Sequence, residues 1–249
     1  MLSIEQHIDR HAQNAPERVA MMLNGEELTY AELCQRTMLR TQHYQGMQRK
    51  GVVIRASCDA DFLISYFAVH VAGAVAVLLP ATATPEQTVR MEKALQGFYF
   101  PEGSADVLFT TGTTGAPKGV VIGTRAIVAS AENIVHGQAY RHDIRFVVPG
   151  QLNHLGCLSK VWATMLAGAT CCLMPKFDFN EFFSLLASSK EMSVGVFLVP
   201  SCIRMLTKFG GKQMEDAAMK LAFIETGGDA LDVPTMAELH KQLLHTRLF

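Results

Sequence analysis

Val107-Leu108-Phe109-Thr110-Thr111-Gly112-Thr113-Thr114-Gly115-Ala116-Pro117-Lys118-Gly119-Val120-Val121 is the most informative stretch of the chain. Its apolar opening, Val107 to Phe109, reads as a buried strand. The strand runs into a loop with four Thr, two Gly and one Lys in nine residues. Glycine tolerates φ > 0 and close approach, so backbone N–H groups there can converge on an anion. The Thr hydroxyls add donors, and Lys118 adds a mobile point charge. The chemistry is that of a cradle for a polyanion, such as linked phosphates. The residue order is not that of the G-x-x-x-x-G-K-[ST] loop, because Lys118 precedes Gly119 and no hydroxyl follows at once. The plain alternative is a Gly/Thr-rich surface turn, with hydroxyls capping local backbone.

Outward from this loop, strands and helices alternate. On the C-terminal side, Thr124 to His136 reads as a helix, with Ile127, Ala131, Ile134 and Val135 at helical spacing. Ile144 to Val148 reads as a strand, Leu158 to Ala167 as a helix, and Ala169 to Met174 as a strand. Asp178-x-x-Glu181 caps a helix whose face is Phe179, Phe182, Phe183 and Leu186. A strand follows at Val194 to Val199, then a helix at Ile203 to Phe209, a strand at Leu221 to Ile224 and a helix at Pro234 to Leu248. On the N-terminal side, Ser3-x-x-Gln6 and Thr29-x-x-Glu32 are capping boxes. Asn24-Gly25 marks a hairpin between Val19–Leu23 and Glu26–Thr29. A buried helix starting at Phe62 ends at Gly73, and a short strand starts at Val75. Strands separated by helices imply crossover connections. The expected fold is α/β, with mostly parallel sheets flanked by helices and ligands beyond the carboxyl ends of the strands. The strands at Leu108, Val147, Cys172, Val196 and Phe223 are expected to share one sheet. Residues 1–104 and 105–249 are expected to be successive α/β portions of one large domain.

Composition narrows the function. The chain has 249 residues, 49% hydrophobic and 18% charged, and a net charge of -1. That excludes a disordered chain and argues against a nucleic-acid binder, which would carry a basic excess. The six Cys form no C-x-x-C pair and no zinc-ligand spacing. With no basic and apolar leader at the start, they fit a reducing, cytoplasmic setting. The uncharged stretch Phe62 to Pro85 is broken by Gly73 and Pro80, so a buried helix plus strand explains it better than a membrane span. His7 and His11 have metal-ligand spacing without a third ligand and are expected on a solvated helix face. Trp162 and the Phe179/Phe182/Phe183 cluster are expected in the core.

Thr110 to Gly119 resembles the phosphate-loop signature of the adenylate-forming superfamily: acyl-CoA synthetases, peptide-synthetase adenylation domains and luciferases. Weaker resemblances follow in the family's order. They are Leu28-Thr29-Tyr30-Ala31-Glu32-Leu33, Ala72-Gly73-Ala74-Val75 through Pro80, Asn153-His154-Leu155-Gly156, Val199-Pro200 and Thr226-Gly227-Gly228-Asp229-Ala230-Leu231. The stretch from Pro80 to Thr110 is shorter than in most relatives, and the usual Gly-Asp before Val52 is missing. The chain also stops where relatives continue into Tyr-Gly-x-Thr-Glu. It therefore resembles the N-terminal part of an adenylating enzyme without the C-terminal lid domain.

The resemblance implies ATP-dependent activation of a carboxylic acid to an acyl-adenylate. Transfer to a thiol follows, on CoA as the expected co-substrate or on a carrier protein. Lys118 would meet the β/γ-phosphates, and Thr110, Thr111, Gly112, Thr113, Thr114 and Gly115 would bind the rest of the polyphosphate. Of the hydroxyls, Thr111, Thr113 and Thr114 are favoured over Thr110, which can end the strand. His154 would sit near the substrate carboxylate or α-phosphate; otherwise it is an ordinary polar residue. Gly227, Gly228, Asp229 and Ala230 would line the adenine site; otherwise they form a plain strand-to-helix turn. The Mg²⁺ ligand is expected beyond Phe249, so the piece alone is expected to be inactive. Asn153-His154-Leu155-Gly156 points to an acyl-CoA synthetase such as a fatty-acid–CoA ligase, with an aryl acid such as o-succinylbenzoate as the alternative substrate. A non-catalytic nucleotide-binding module is the alternative function. The phosphate loop is expected to be mobile without nucleotide, and exposed apolar surface is expected to promote self-association.

Overall fold

A computed structural model describes residues 1–110 and 118–249 of the chain. Helix α1 (Ile4–Asn14) opens on the Ser3/Gln6 capping box. Strands β1 (Val19–Leu23) and β2 (Glu26–Thr29) form the expected hairpin, with Asn24 at φ 51° and Gly25 at φ 82°. Helix α2 (Tyr30–Thr41) starts on the Thr29/Glu32 box. Strand β3 (Gly51–Ala56), helix α3 (Ala60–Val71) and strand β4 (Val75–Pro80) follow. Helix α4 (Pro85–Leu95) starts on Thr84, whose hydroxyl accepts from the Gln87 N–H. Its Thr-Pro opening is a legible start signal that the sequence reading passed over.

Strand β5 (Ser104–Thr110) leads to β6 (Lys118–Gly123) and helix α5 (Thr124–Gln138). Strand β7 (Arg145–Pro149), helix α6 (Leu155–Ala167) and strand β8 (Thr170–Met174) come next. They precede α7 (Phe179–Ala187), β9 (Val194–Leu198), α8 (Pro200–Phe209) and α9 (Gly211–Ala217). The chain closes with β10 (Leu221–Thr226), α10 (Val233–Gln242) and β11 (Arg247–Leu248). The last helix is thus shorter than Pro234 to Leu248. Leu239 and Leu243 bury against the core, Leu244 stays 67% exposed, and the chain then turns extended to pair with β10.

The α/β class holds, with two sheets rather than one carrying the named strands. Seven strands order as β11-β10-β9-β7-β8-β1-β2, and four as β3-β4-β5-β6. Leu108 therefore belongs to the smaller sheet, apart from Val147, Cys172, Val196 and Phe223. The reason is pairing: β5 lies parallel to β4 and antiparallel to β6, and both neighbours come from chain segments close in sequence. Both sheets draw strands from either side of residue 104. Apart from β1–β2 and β5–β6, the described ladders are parallel.

Helices cover both faces of the large sheet, as parallel strands require. Phe146, Phe223, Leu158 and Trp162 share one core cluster, and Val147, Val196, Ile224, Phe182 and Leu206 another. Trp162 is 1% exposed and Phe182 fully buried, as expected of core residues. No described helix is long and apolar enough to cross a membrane.

His11 departs from its expected solvated face. Its Nε2 lies 3.1 Å from the Leu166 carbonyl, and its ring meets Tyr30 edge-on at 5.2 Å. A second unexpected feature links β5 to helices α1, α3 and α6. His70 on α3 donates from Nδ1 to Glu5 Oε1 at 2.8 Å and from Nε2 to Asp106 Oδ1 at 2.9 Å. Tyr66 Oη donates to the other Asp106 oxygen at 2.8 Å, and Trp162 Nε1 donates to Tyr66 Oη at 2.8 Å. A ring with a carboxylate at each nitrogen holds both protons. Burial acts to lower the His70 pKa, but Asp106 and Glu5 outweigh it and raise it to about 10.

Candidate functional site

Two groups of candidate residues are placed by the two sheets. Thr110 ends β5 and Lys118 begins β6, and they face each other in the antiparallel register. Both are exposed, and the Thr110 hydroxyl donates to the Lys118 carbonyl at 3.5 Å. A Cβ on Gly119 would come within 3.1 Å of Val107 Cγ1, so glycine there lets β6 lie flat on β5. The strand pair thus holds a lysine cation and a threonine hydroxyl side by side at the sheet's end. Thr111, Gly112, Thr113, Thr114 and Gly115 lie outside the described residues, as does the expected mobility of their loop.

The second group sits at the carboxyl ends of β7, β9 and β10. His154 is the N-cap residue of α6, extended at φ -107° and ψ 135°. Its backbone carbonyl accepts from the N–H groups of Cys157 at 3.2 Å and Leu158 at 3.0 Å. Its imidazole is exposed and makes no capping hydrogen bond, so the first turn of α6 keeps N–H groups free for an anion. Asn153 beside it is buried, and its Oδ1 has no partner among the described residues. Cys157 is no nucleophile here: burial pushes its pKa up to about 11, which leaves a neutral thiol.

Gly227, Gly228, Asp229 and Ala230 leave the carboxyl end of β10. Gly228 takes φ +90°, a conformation that side chains resist. Asp229 Oδ1 accepts from the Ala230 N–H at 2.7 Å, which tightens the turn. Gly228, Asp229 and Ala230 are exposed, so their backbone is open to a ligand.

Phe197, one residue from the end of β9, joins these elements. A Cβ on Gly156 would lie 3.2 Å from its ring, and one on Gly227 3.7 Å. The first turn of α6 and the loop after β10 therefore meet over the same ring. The structure brings the His154 turn and the Gly227 loop together and keeps Thr110 and Lys118 on the other sheet. Among the described residues no hydrogen bond or ion pair joins the two groups.

The sequence reading missed the charges beneath Phe197. Lys160 on α6 pairs with Glu225 on β10, and their side chains are only 7% and 14% exposed. Lys160 Nζ also stands 5.6 Å from the centre of the Phe197 ring. A signal was available: Lys160 is the sole charge in α6 and Glu225 the sole charge in β10. Among the described residues, no three His, Cys, Asp or Glu side chains gather to hold a metal.

An exposed cation beside a Gly/Thr segment, with an uncapped helix start and an open glycine turn at strand ends, is an arrangement suited to an anionic, nucleotide-like ligand on an α/β scaffold. The family model of AMP-binding enzymes matches residues 101–249, more than half of the chain. The chain belongs to this family. It is 27% identical over 191 residues to the mitochondrial malonate–CoA ligase ACSF3 of Mus musculus, covering 69% of this chain and 32% of that protein. It is 23% identical over 229 residues to the 2-succinylbenzoate–CoA ligase of Bacillus cereus, covering 77% of this chain and 46% of that one. It thus spans less than half the length of either relative. The crystal structure of ATP-bound MatB from Rhodopseudomonas palustris matches the whole chain, 100% of it against 60% of MatB, with TM-score 0.81 and 18% identity. That likeness is one of fold.

Proposed function

We propose that the chain forms the nucleotide- and acid-binding part of an AMP-forming acid–thiol ligase of the acyl-CoA synthetase type. The observation that carries the reading is Lys118, exposed and in register with Thr110, flanking the Thr/Gly segment inside the family match. In this reading a carboxylate attacks the α-phosphate of ATP, giving an acyl-adenylate and pyrophosphate. A thiol, on CoA or a carrier protein, then takes the acyl group and releases AMP.

Charge builds on the departing pyrophosphate, so the chain must offer fixed positive charge and oriented donors there. Lys118 supplies the charge, and the hydroxyls of Thr110, Thr111, Thr113 and Thr114 with the backbone at Gly112 and Gly115 supply donors. The start of α6 at His154 faces the reacting carboxylate and α-phosphate. The turn Gly227, Gly228, Asp229 and Ala230 takes the adenine. Mg²⁺, when bound, would screen the phosphates. The CoA ligases among the relatives favour a CoA acceptor. A fatty acid is the leading substrate, with an aryl acid such as o-succinylbenzoate as the alternative.

The test is calorimetric titration of the 249-residue chain with ATP. Hydrogen bonds to charged groups contribute about 1.5–3 kcal/mol, so Lys118→Ala should weaken ATP binding by about ten- to a hundredfold. Lys118→Arg should recover only part of it, because a planar fork replaces a point charge. Unchanged ATP affinity in Lys118→Ala would end this assignment.

A further inference from the structure

Helices α1, α2 and α3 frame a cleft of about 520 Å³. Its size falls within the roughly 300–1,000 Å³ of small-molecule sites. Each helix turns side chains one turn apart into it, as neighbours on one helix face. The polar ones are Glu5 and Asp9 from α1, Cys34 and Thr37 from α2, and His70 from α3. Ile8, Met38 and Phe67 supply an apolar wall. No candidate residue for the nucleotide or the acid lines this cleft.

The charge in the cleft is negative. Glu5 Oε1 lies 2.8 Å from His70 Nδ1, and Asp106 is buried behind the imidazole. Burial alone would raise the Glu5 pKa, but the His70 charge and hydrogen bond outweigh it, so Glu5 stays ionised. Asp9 adds a second carboxylate. It accepts from Gln13 Nε2 at 2.8 Å and takes a long bond, 3.7 Å, from the Cys34 thiol. Among the described residues, no Lys or Arg lines the cleft. Two carboxylates thus face it, against one imidazolium that Asp106 already shares, so a positive charge is favoured there.

A second observation points to a ligand. Thr37 lines the cleft and is 5% exposed, yet its Oγ1 has no hydrogen-bond partner among the described residues. On the same helix, the Thr41 hydroxyl donates to the carbonyl four residues back at 2.8 Å. Thr37 makes no such bond, which leaves its oxygen for an incoming donor. A metal ion does not fit, because among the described residues no three His, Cys, Asp or Glu side chains gather to hold one.

We infer that the cleft between α1, α2 and α3 binds a small organic cation, a protonated primary amine on an apolar body. The ammonium sits among Glu5, Asp9 and the Thr37 hydroxyl, and the body lies against Ile8, Met38 and Phe67. This site does not depend on the ligase reading.

The experiment titrates the 249-residue chain, without ATP, with 2-phenylethylamine and with 2-phenylethanol, whose similar body carries a neutral hydroxyl. The amine should bind about tenfold or more tighter, because hydrogen bonds from a charged donor are the stronger ones. Asp9→Asn and Thr37→Val should each weaken the amine by about three- to tenfold and leave the alcohol nearly unchanged. Asp9 is exposed, so its variant should fold. Thr37→Val removes a hydroxyl without a partner and should melt at or above the wild-type temperature. Equal binding of amine and alcohol would mark a merely apolar cleft and overturn the inference. Binding of neither probe at millimolar concentration would do the same, as would an amine affinity that both variants leave untouched. A Thr37→Val protein that melts lower and binds the amine like wild type would place the hydroxyl's partner within the protein, and that result also overturns it.

Discussion

His70→Gln should be among the most damaging single changes in the protein, and its cost should depend on pH in a defined direction. His70 bridges Glu5 and Asp106, in a place where side-chain exposures are 8%, 13% and 0%. Removing one partner of a buried ionic group costs about 3–5 kcal/mol. The shift of the His70 pKa from 6.5 to about 10 implies a similar size, about 5 kcal/mol. For a chain of this length, about 3–5 kcal/mol is roughly 6–20 °C in Tm. The folded-state pKa is raised, so the native protein keeps a proton that the unfolded chain gives up first. The His70 contribution is therefore fully present below pH 6.5 and is lost as pH rises toward about 10. Buried thiols such as Cys58 and Cys172, with pKa values pushed up to about 12 by burial, make every variant less stable at high pH. The difference between wild type and His70→Gln removes that shared background. It should shrink by about 1.4 kcal/mol per pH unit across the window. Urea unfolding followed by circular dichroism at several pH values measures it. Should His70→Gln prove too unstable to fold, Glu5→Gln keeps the ring paired with Asp106 and should show a narrower window. A wild-type advantage under about 1 kcal/mol at pH 6.5, or one constant with pH, would refute the charge assignment.

Gly195→Ala should cost about 1–3 kcal/mol, because its Cβ would lie 2.5 Å from Phe223 and 2.7 Å from Phe146, both fully buried; thermal melts check it. Thr29→Ala removes the hydroxyl that accepts from the Glu32 N–H at 3.2 Å and should cost about 1 kcal/mol in urea unfolding. Tyr140→Phe removes a hydroxyl that makes no hydrogen bond among the described residues, so stability should hold or rise slightly; a loss above about 1 kcal/mol would show that the hydroxyl is bonded in solution.

The parts of the fold legible in the sequence were those with a local cause. Ser3/Gln6 and Thr29/Glu32 announce helix starts because the capping bonds lie within one turn. Asn24-Gly25 announces a hairpin because two adjacent residues must take φ > 0. Sheet membership is different in kind. Leu108 sits in an apolar strand much like Val147 or Val196, and nothing in its neighbourhood says which sheet it joins. That is decided by β4 and β6 pairing on either side of β5. The short run Arg247–Leu248 likewise continues a helical apolar pattern, and only its partner β10 makes it a strand. Of the candidate site, Thr110 and Lys118 were nameable from the local Gly/Thr/Lys pattern after a buried strand, whereas His154 and Gly227 to Ala230 were named through their resemblance to the family.

Lys160, Glu225, His70 and Asp106 were passed over for one shared reason. Each is an isolated charge within an apolar run, and periodicity analysis treats such a residue as a blemish on a hydrophobic face. Physically it is the opposite, since an ionised group enters a core only where a partner meets it. A lone charge in an apolar helix therefore implies another in an element packed against it. In this chain α3 carries His70, β5 Asp106, α6 Lys160 and β10 Glu225. The structure resolves the pairing by distance along the fold. His70 joins Asp106, near the start of the strand that ends at Thr110, and Lys160 joins Glu225, next to the turn of Gly227 and Gly228. Each buried charge is thus anchored on a strand that runs directly into a candidate binding loop. Neutralising either pair should therefore disturb ligand binding as well as stability, and the two effects separate by comparing ATP and acid titrations with melts on the same variants.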